Sequence, residues 1–396
     1  MILDAYKTLG GVHPETAAVN NILAFHGVTA PHTGKPFTEA LLLGIGGGLG
    51  SMFILWEFEK HDYPSIVLGF RHKDNYPVKF LQGLCARLGG GERIFETTGK
   101  VKAADQLEEI LAGGNPAIVW LDLGGPPYFF HYMLAGVAVV YGFEGDHVFL
   151  DNRAARPYRI PQDLLAEARA KVPSFRSRLM MVEPPGQVDL ETAVAAGIRD
   201  CVAYLGGSST SFALPAVRKW ARLMTDEKNV KGWPVIFEGG RGLYGTLRTV
   251  YEAIEHLGNG GGALRGLYAD FLVEAAAVLG RNELKETAAL YRELHDLWRG
   301  LAQAVLPERV DVFRETRELL DRREALRREL GGEGLEDIRP LSDALHALKG
   351  ELNDAFPMNG SETAALFAEI RDHLEAIYNA EMGALSSLRS FVSEYN

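Results

Sequence analysis

Near its start the chain reads GVHPETAAVNNILAFHG, residues 11–27, a loop entering an apolar helix. His13, Glu15 and Thr16 crowd the first turn of that helix around Pro14. An imidazole and a carboxylate placed together can accept and return a proton. A hydroxyl can attack a carbonyl once a base removes its proton. A structural reading stands beside each chemical one. Glu15 complements the positive end of the helix dipole, His13 caps the loop, and Thr16 is a helix residue facing a pocket. Thiol enzymes place their nucleophile in such a first turn, where the dipole favours the thiolate. This turn has no cysteine. Proline suits position 14 because its missing N–H costs little in a first turn.

Other segments carry weaker chemistry. FLDN ends a strand pattern with Asp151-Asn152. His131 in PPYFFHYML lies on the same strand pattern as Val137, roughly 20 Å from it along an extended chain; it serves the first-turn residues only if the preceding loop folds back. GIGGGLG, residues 44–50, follows a helix opened by Glu39. Its backbone N–H groups could cradle a phosphate or a pantetheine arm; equally, the glycines could permit close packing. No Lys-Ser/Thr follows, and the setting is not that of a dinucleotide fingerprint. GNGGGALRGLY, residues 258–268, sets Arg265 and Tyr268 one helical turn apart, either for an anion or to tie down carbonyls. SSTS at 208–211 lacks the context of a serine hydrolase. The eleven histidines show no metal-ligand spacing, and no metal is expected.

These residues need a frame. At 396 residues the chain exceeds one ordinary core, and two domains are expected. With 47% hydrophobic and 23% charged residues it reads as globular. A net charge of −11 opposes binding to nucleic acid or an anionic membrane surface. Cys85 and Cys201 both sit in apolar helical patterns and read as buried thiols, which suits a reducing cytoplasm. The first residues lack the pattern of a secretory signal, and no apolar run is long enough for a membrane span.

The first half starts with helices over ETAAVNNILAFHG and TEALLLGI, the latter capped by Thr38. SMFILWEF, SIVLGF, RIFETT, PAIVWLDL, HYMLAGVAVVYGFEG, DHVFLDN and RLMMVEPP read as strands. YPVKFLQGLCARLG, VKAADQLEEILAGG and PQDLLAEARAKV read as helices between them. Hairpin-like succession, with a turn at Glu144-Gly145, predicts α+β with a mainly antiparallel sheet. From Asp189 to Tyr395 the period is helical, so PPGQ marks a boundary and the domains are 1–184 and 187–396. The charge-dense stretch from Val310 to Gly332 reads as a solvated helix with i,i+4 pairs, or as a seam for a partner or a second copy.

The run GVHPETAAVNNILAFHG…FTEALLLGIGGGLGSMF resembles the opening of the butirosin biosynthesis protein H (BtrH) family's N-terminal domain, which belongs to the papain-like superfamily. The helical half resembles the domain that usually follows it, most specifically in IEHLGNGGGALRGLYADFLVEAA, residues 254–276. The resemblance implies a papain-like α+β domain followed by an all-α domain. It also implies transfer of an acyl or aminoacyl group from a thioester carrier to an amine in secondary metabolism. In the family a Cys nucleophile stands where this chain has Pro14, and a strand His where it has Val137; the third element remains as Asp151-Asn152. Two functions follow as expectations. In one, the chain is an acyltransferase-like enzyme without a thiol. His13, Glu15 and Asp151 then do the acid/base work, and Thr16, Glu39, Gly46, Gly47, Gly48, His131, Asn152, Arg265 and Tyr268 contact a small-molecule or carrier-bound, pantetheine-linked acyl donor. No cofactor is required. In the other, the chain is a non-catalytic relative that binds a ligand or a partner protein. A homodimer in the cytoplasm is expected in either case.

Overall fold

In a computed structural model of the chain, the structure describes residues 1–56, 63–123 and 136–395. Along the first half run α1 (Pro14–Phe25), α2 (Glu39–Ile45), β1 (Leu49–Trp56), β2 (Ser65–Arg71), α3 (Pro77–Arg87), β3 (Gly91–Phe95) and α4 (Lys100–Ala112). They are followed by β4 (Ala117–Leu121), β5 (Gly136–Glu144), β6 (His147–Asp151), β7 (Tyr158–Pro161), α5 (Gln162–Ala170) and β8 (Leu179–Glu183). From Leu190 onward the described elements are helical. The chain is thus a mixed α+β region followed by a helical part, as the patterning predicts.

Two compact units form. The first gathers Met1–Leu42, Leu81–Leu190 and Arg322–Asp343; the second gathers Leu43–Phe80, Glu191–Asp321 and Ala344–Asn396. The units follow packing rather than a single cut near residue 185: the β1–β2 hairpin counts with the helices, and a late helical segment counts with the sheet.

The first unit is built on a sheet of order β3-β8-β4-β5-β6-β7, antiparallel at every described pair. Side chains alternate between its faces. Val119, Leu121, Ala138, Val140, Val148, Leu150 and Ile160 point to one face and join Leu107 and Leu111 of α4 and Leu165 and Ala168 of α5 in a common core. Trp120 opposite Val137, and Val139 opposite Asp151, point to the other face, over which α1 packs. Tyr6 stacks on Tyr141 there, with ring centroids 4.6 Å apart. The hairpin from β5 to β6 turns through Gly145 at φ +59°. Strand β7 has no clear signal in the sequence: it is only four residues long and ends in Pro161.

The third segment of this unit corrects the reading of the charged stretch as a solvated helix. Arg323 and Arg327, near the end of the helix Asp311–Leu330, are buried at 8% and 5% exposure. Ala155 N–H donates to the Arg328 carbonyl at 2.7 Å. At Gly331 a Cβ would lie 2.2 Å from the Arg156 carbonyl oxygen, so only glycine admits that approach.

In the second unit β1 and β2 pair antiparallel. The glycine run packs close here: a Cβ at Gly47 would meet the His72 ring at 2.7 Å, and one at Gly48 would meet the Tyr268 ring at 2.5 Å. Gly48 also holds φ +67°. Arg265 is fully buried; it donates to Glu381 Oε1 at 2.7 Å, to the Ala263 carbonyl at 2.7 Å and to the Gly50 carbonyl at 3.3 Å. Trp298 donates to the same Glu381 oxygen at 3.0 Å.

Gly48→Ala combines an unfavourable φ with overlap, so we expect it to lower stability by roughly 1–3 kcal/mol in urea denaturation. Gly350 lies inside the helix Leu335–Leu352, and a Cβ there would meet nothing within 4 Å. Gly350→Ala is expected to be neutral or to gain up to about 1 kcal/mol. Equal effects at the two glycines would contradict the packing described.

Candidate functional site

The first turn of α1 is held by a carboxylate from α2. Glu39 Oε2 accepts the Val12 N–H at 2.6 Å, and Oε1 accepts the His13 N–H at 3.0 Å and the Thr16 hydroxyl at 3.2 Å. Burial holds the Glu39 carboxyl above the usual carboxylate range, against the opposing pull of those donors and of the Arg153 charge. Thr38 caps the helix that carries it, its hydroxyl accepting the Leu41 N–H at 3.0 Å.

His13 is the N-cap of α1 and Pro14 its first residue. Thr16 N–H lies 3.5 Å and Thr16 Oγ1 3.3 Å from His13 Nδ1. Glu15 Oε2 lies 3.3 Å from His13 Nε2. One neutral tautomer satisfies all three contacts: Nε2–H donates to Glu15, and Nδ1 accepts from Thr16. The Thr16 hydroxyl therefore has three acceptors within reach, His13 Nδ1, Glu39 Oε1 and, at 3.4 Å, the His13 carbonyl. His13, Glu15 and Thr16 are all buried. Side chains that the first-turn spacing singles out thus form one hydrogen-bonded group, joined by Glu39.

Asp151 anchors a second group on the sheet face under α1. Its Oδ2 accepts the Tyr6 hydroxyl at 2.8 Å and the Asn21 side-chain N–H at 2.5 Å, and its Oδ1 accepts the Arg153 N–H at 3.1 Å. These bonds engage both oxygens, and neither His13 nor Glu15 is a partner in them. Burial raises the Asp151 carboxyl, opposed by the same three donors. Arg153, at φ +63°, sends Nη1 to the Val12 carbonyl at 2.8 Å and so ties this group to the loop before α1. Burial and the neighbouring Arg327 push the Arg153 guanidinium down to about 10. Arg327 donates to the Asn152 carbonyl at 3.2 Å and holds Glu324 through two bonds of 2.7 and 2.6 Å. Asn152 is buried, and neither atom of its amide has a hydrogen-bond partner among the described residues.

The remaining sequence candidates fall elsewhere. Gly46, Gly47, Gly48, Arg265 and Tyr268 belong to the second unit and are buried in its packing. His131 lies outside the described residues. Val137, on β5 opposite Trp120, is 3% exposed. Among the described residues no group of three or more His, Cys, Asp and Glu could hold a metal ion, and no helix is long and apolar enough to cross a membrane. Residues the sequence reading passed over are Tyr6, Asn21, Arg153 and Arg327. Asn21 offered a faint signal as a polar residue within an apolar helix; Arg327 offered none, being 175 residues from the carbonyl it meets.

An antiparallel α+β unit with polar groups gathered at the first turn of α1, together with a helical part, defines the class of protein. Residues 13–153 match the family model described as Butirosin biosynthesis protein H, N-terminal, and residues 163–328 match a domain of unknown function (DUF4872). The chain belongs to a butirosin biosynthesis protein H-like family. No curated protein matches it.

Asp151→Asn places an amide N–H among three donors, with one oxygen left to accept them. We expect a loss of about 1–3 kcal/mol at neutral pH. Because the folded Asp151 carboxyl is raised, protonation favours the folded chain. Its contribution is complete below the ordinary carboxylate range and is lost as pH rises through the folded value. The stability gap between the parent and Asp151→Asn should therefore narrow as pH rises above about 4 in urea melts. A gap that widens over that range would contradict the raised value.

Proposed function

We propose that this chain serves acyl or aminoacyl transfer, or closely related amide and thioester chemistry, in biosynthesis, through a site that has no thiol nucleophile. The family supports the acyl-transfer class and the papain-like assignment of the first unit. The observation that carries the mechanism is the His13 ring, contacted at Nε2 by Glu15 and at Nδ1 by Thr16. It stands beside Pro14, where the resemblance puts the family's nucleophile.

In this reading the Thr16 hydroxyl turns to Glu39 Oε1, and the substrate amine displaces the longer, 3.5 Å contact of the Thr16 N–H from His13 Nδ1. An amine attacks the acyl carbon of a thioester. His13 takes the ammonium proton as the C–N bond forms, and Glu15 stabilises the imidazolium. The C–S bond breaks, and the proton passes to the departing thiolate. An activated thioester makes this possible without a covalent enzyme intermediate. The substrate is a small-molecule or carrier-bound acyl thioester. The two free cysteines, both buried, accord with work in a reducing cytoplasm. A homodimer is the assembly we assign.

A second reading has its own support. Asp151, the residue that the resemblance makes the ring-orienting member, is engaged by Tyr6, Asn21 and Arg153, and Val137 is a buried strand residue. On that reading the chain is a non-catalytic member that binds the acyl ligand or a partner protein.

Mass spectrometry of the purified protein with acyl-pantetheine thioesters and amine acceptors separates the two. The transfer reading expects amide product from the parent with no covalent adduct. It also expects a loss of roughly 10²-fold or more in His13→Ala. Acylation seen only in the Pro14→Cys/Val137→His double variant, with no product from the parent, would replace transfer with binding.

A further inference from the structure

The second unit carries a groove of about 1060 Å³ between the helices Pro215–Leu223 and Gly360–Tyr395. Arg218, Lys219 and Arg222 line it from the first helix, and Arg371, Glu375 and Tyr378 from the second. Four cations thus face one carboxylate, in a chain whose net charge is −11. That local excess runs against the whole molecule, and a concave wall of one sign concentrates its field.

Three of the four cations are not used up by carboxylates among the described residues. Among the described residues, Arg218 lies over the Tyr378 ring at 5.9 Å and Lys219 near the Phe53 ring at 5.9 Å; neither they nor Arg222 has a carboxylate partner. Arg371 pairs with the exposed Asp372 next to it. Arg218 and Arg222 are four residues apart on one helix, a like-charge spacing that weakens a helix unless an anion intervenes. Partial burial, Lys231 and Arg222 together depress the Lys219 ammonium. One carboxylate, Glu375, faces four cations across the groove, and an anion bound there would offset the remaining repulsion.

We infer that this groove is a binding site for a phosphorylated small molecule. A phosphate group carries close to two charges and three acceptor oxygens, which suits several guanidinium and ammonium donors converging from two helices better than a single carboxylate does. The Tyr378 ring and the Pro215 and Ala221 side chains offer an apolar surface for the rest of the ligand. The inference is independent of the acyl-transfer reading, since no residue of the groove belongs to the His13 group.

Isothermal titration calorimetry with inorganic phosphate, pyrophosphate and glycerol 3-phosphate tests it on the full chain. Arg218 and Arg222 have exposed side chains, so the double variant Arg218→Ala/Arg222→Ala should fold; thermal melts check this. Lys100→Ala/Lys102→Ala, altering exposed residues of the first unit, removes the same net charge and serves as the control. The expected result is one-site binding of glycerol 3-phosphate, tighter than that of inorganic phosphate. The groove variant should weaken it at least tenfold while the control leaves it unchanged. Absence of binding, binding unaffected by the groove variant, or equal weakening by both variants would overturn the assignment. So would binding of a polyglutamate peptide without binding of any phosphate compound.

Discussion

Glu39 governs the local geometry from which the site follows. Its two oxygens accept the backbone N–H groups of Val12 and His13 and the hydroxyl of Thr16. Two backbone donors and a hydroxyl are thus satisfied by one side chain. This fixes where α1 begins, and therefore where His13, Glu15 and Thr16 stand relative to one another. Arg153 fixes the same loop from the other side by binding the Val12 carbonyl. The loop before α1 is thus clamped through both its donors and its acceptors. Such a clamp pre-positions an imidazole without any contribution from substrate.

Around the first turn of α1 the packing and the polar groups divide cleanly. Proline at the first helical position and valine on a buried strand are good structural residues for their places. Asp151, at the end of β6, is engaged by a tyrosine hydroxyl, an asparagine amide and a backbone N–H. The imidazole one residue before Pro14 takes its side-chain contacts from the same turn of helix.

Much of this was legible in the sequence because it depends on local spacing. The first-turn cluster, the Thr38 cap, the Pro14 position and all but one of the sheet's strands follow from periodicity and capping rules applied within a dozen residues. What the sequence could not reveal depends on pairing across long separations. Arg327 reads as one charge in FRETRELLDRREALRREL, yet it is buried against the Asn152 carbonyl. Tyr6 reads as part of an unremarkable N-terminal segment, yet it shares Asp151 with Asn21. Glycines 47 and 48 fit either a ligand cradle or tight packing until the His72 and Tyr268 rings fill the space beside them. Strand β7 is short enough that its neighbour β6, rather than its own composition, defines it.

The return of residues 322–343 to the sheet unit imposes an order on biosynthesis. The sheet's strands emerge from the ribosome by Glu183, but Arg327, Arg328 and Gly331, which meet the backbone from Asn152 to Arg156, emerge more than a hundred residues later. During that interval the nascent sheet unit lacks one of its own walls, and the helical segments made in between must leave it room to close. At about 5–20 residues per second the wait lasts several seconds or more, long compared with helix or hairpin formation. The first unit is therefore completed only after residues 322–343 have been made, long after its sheet.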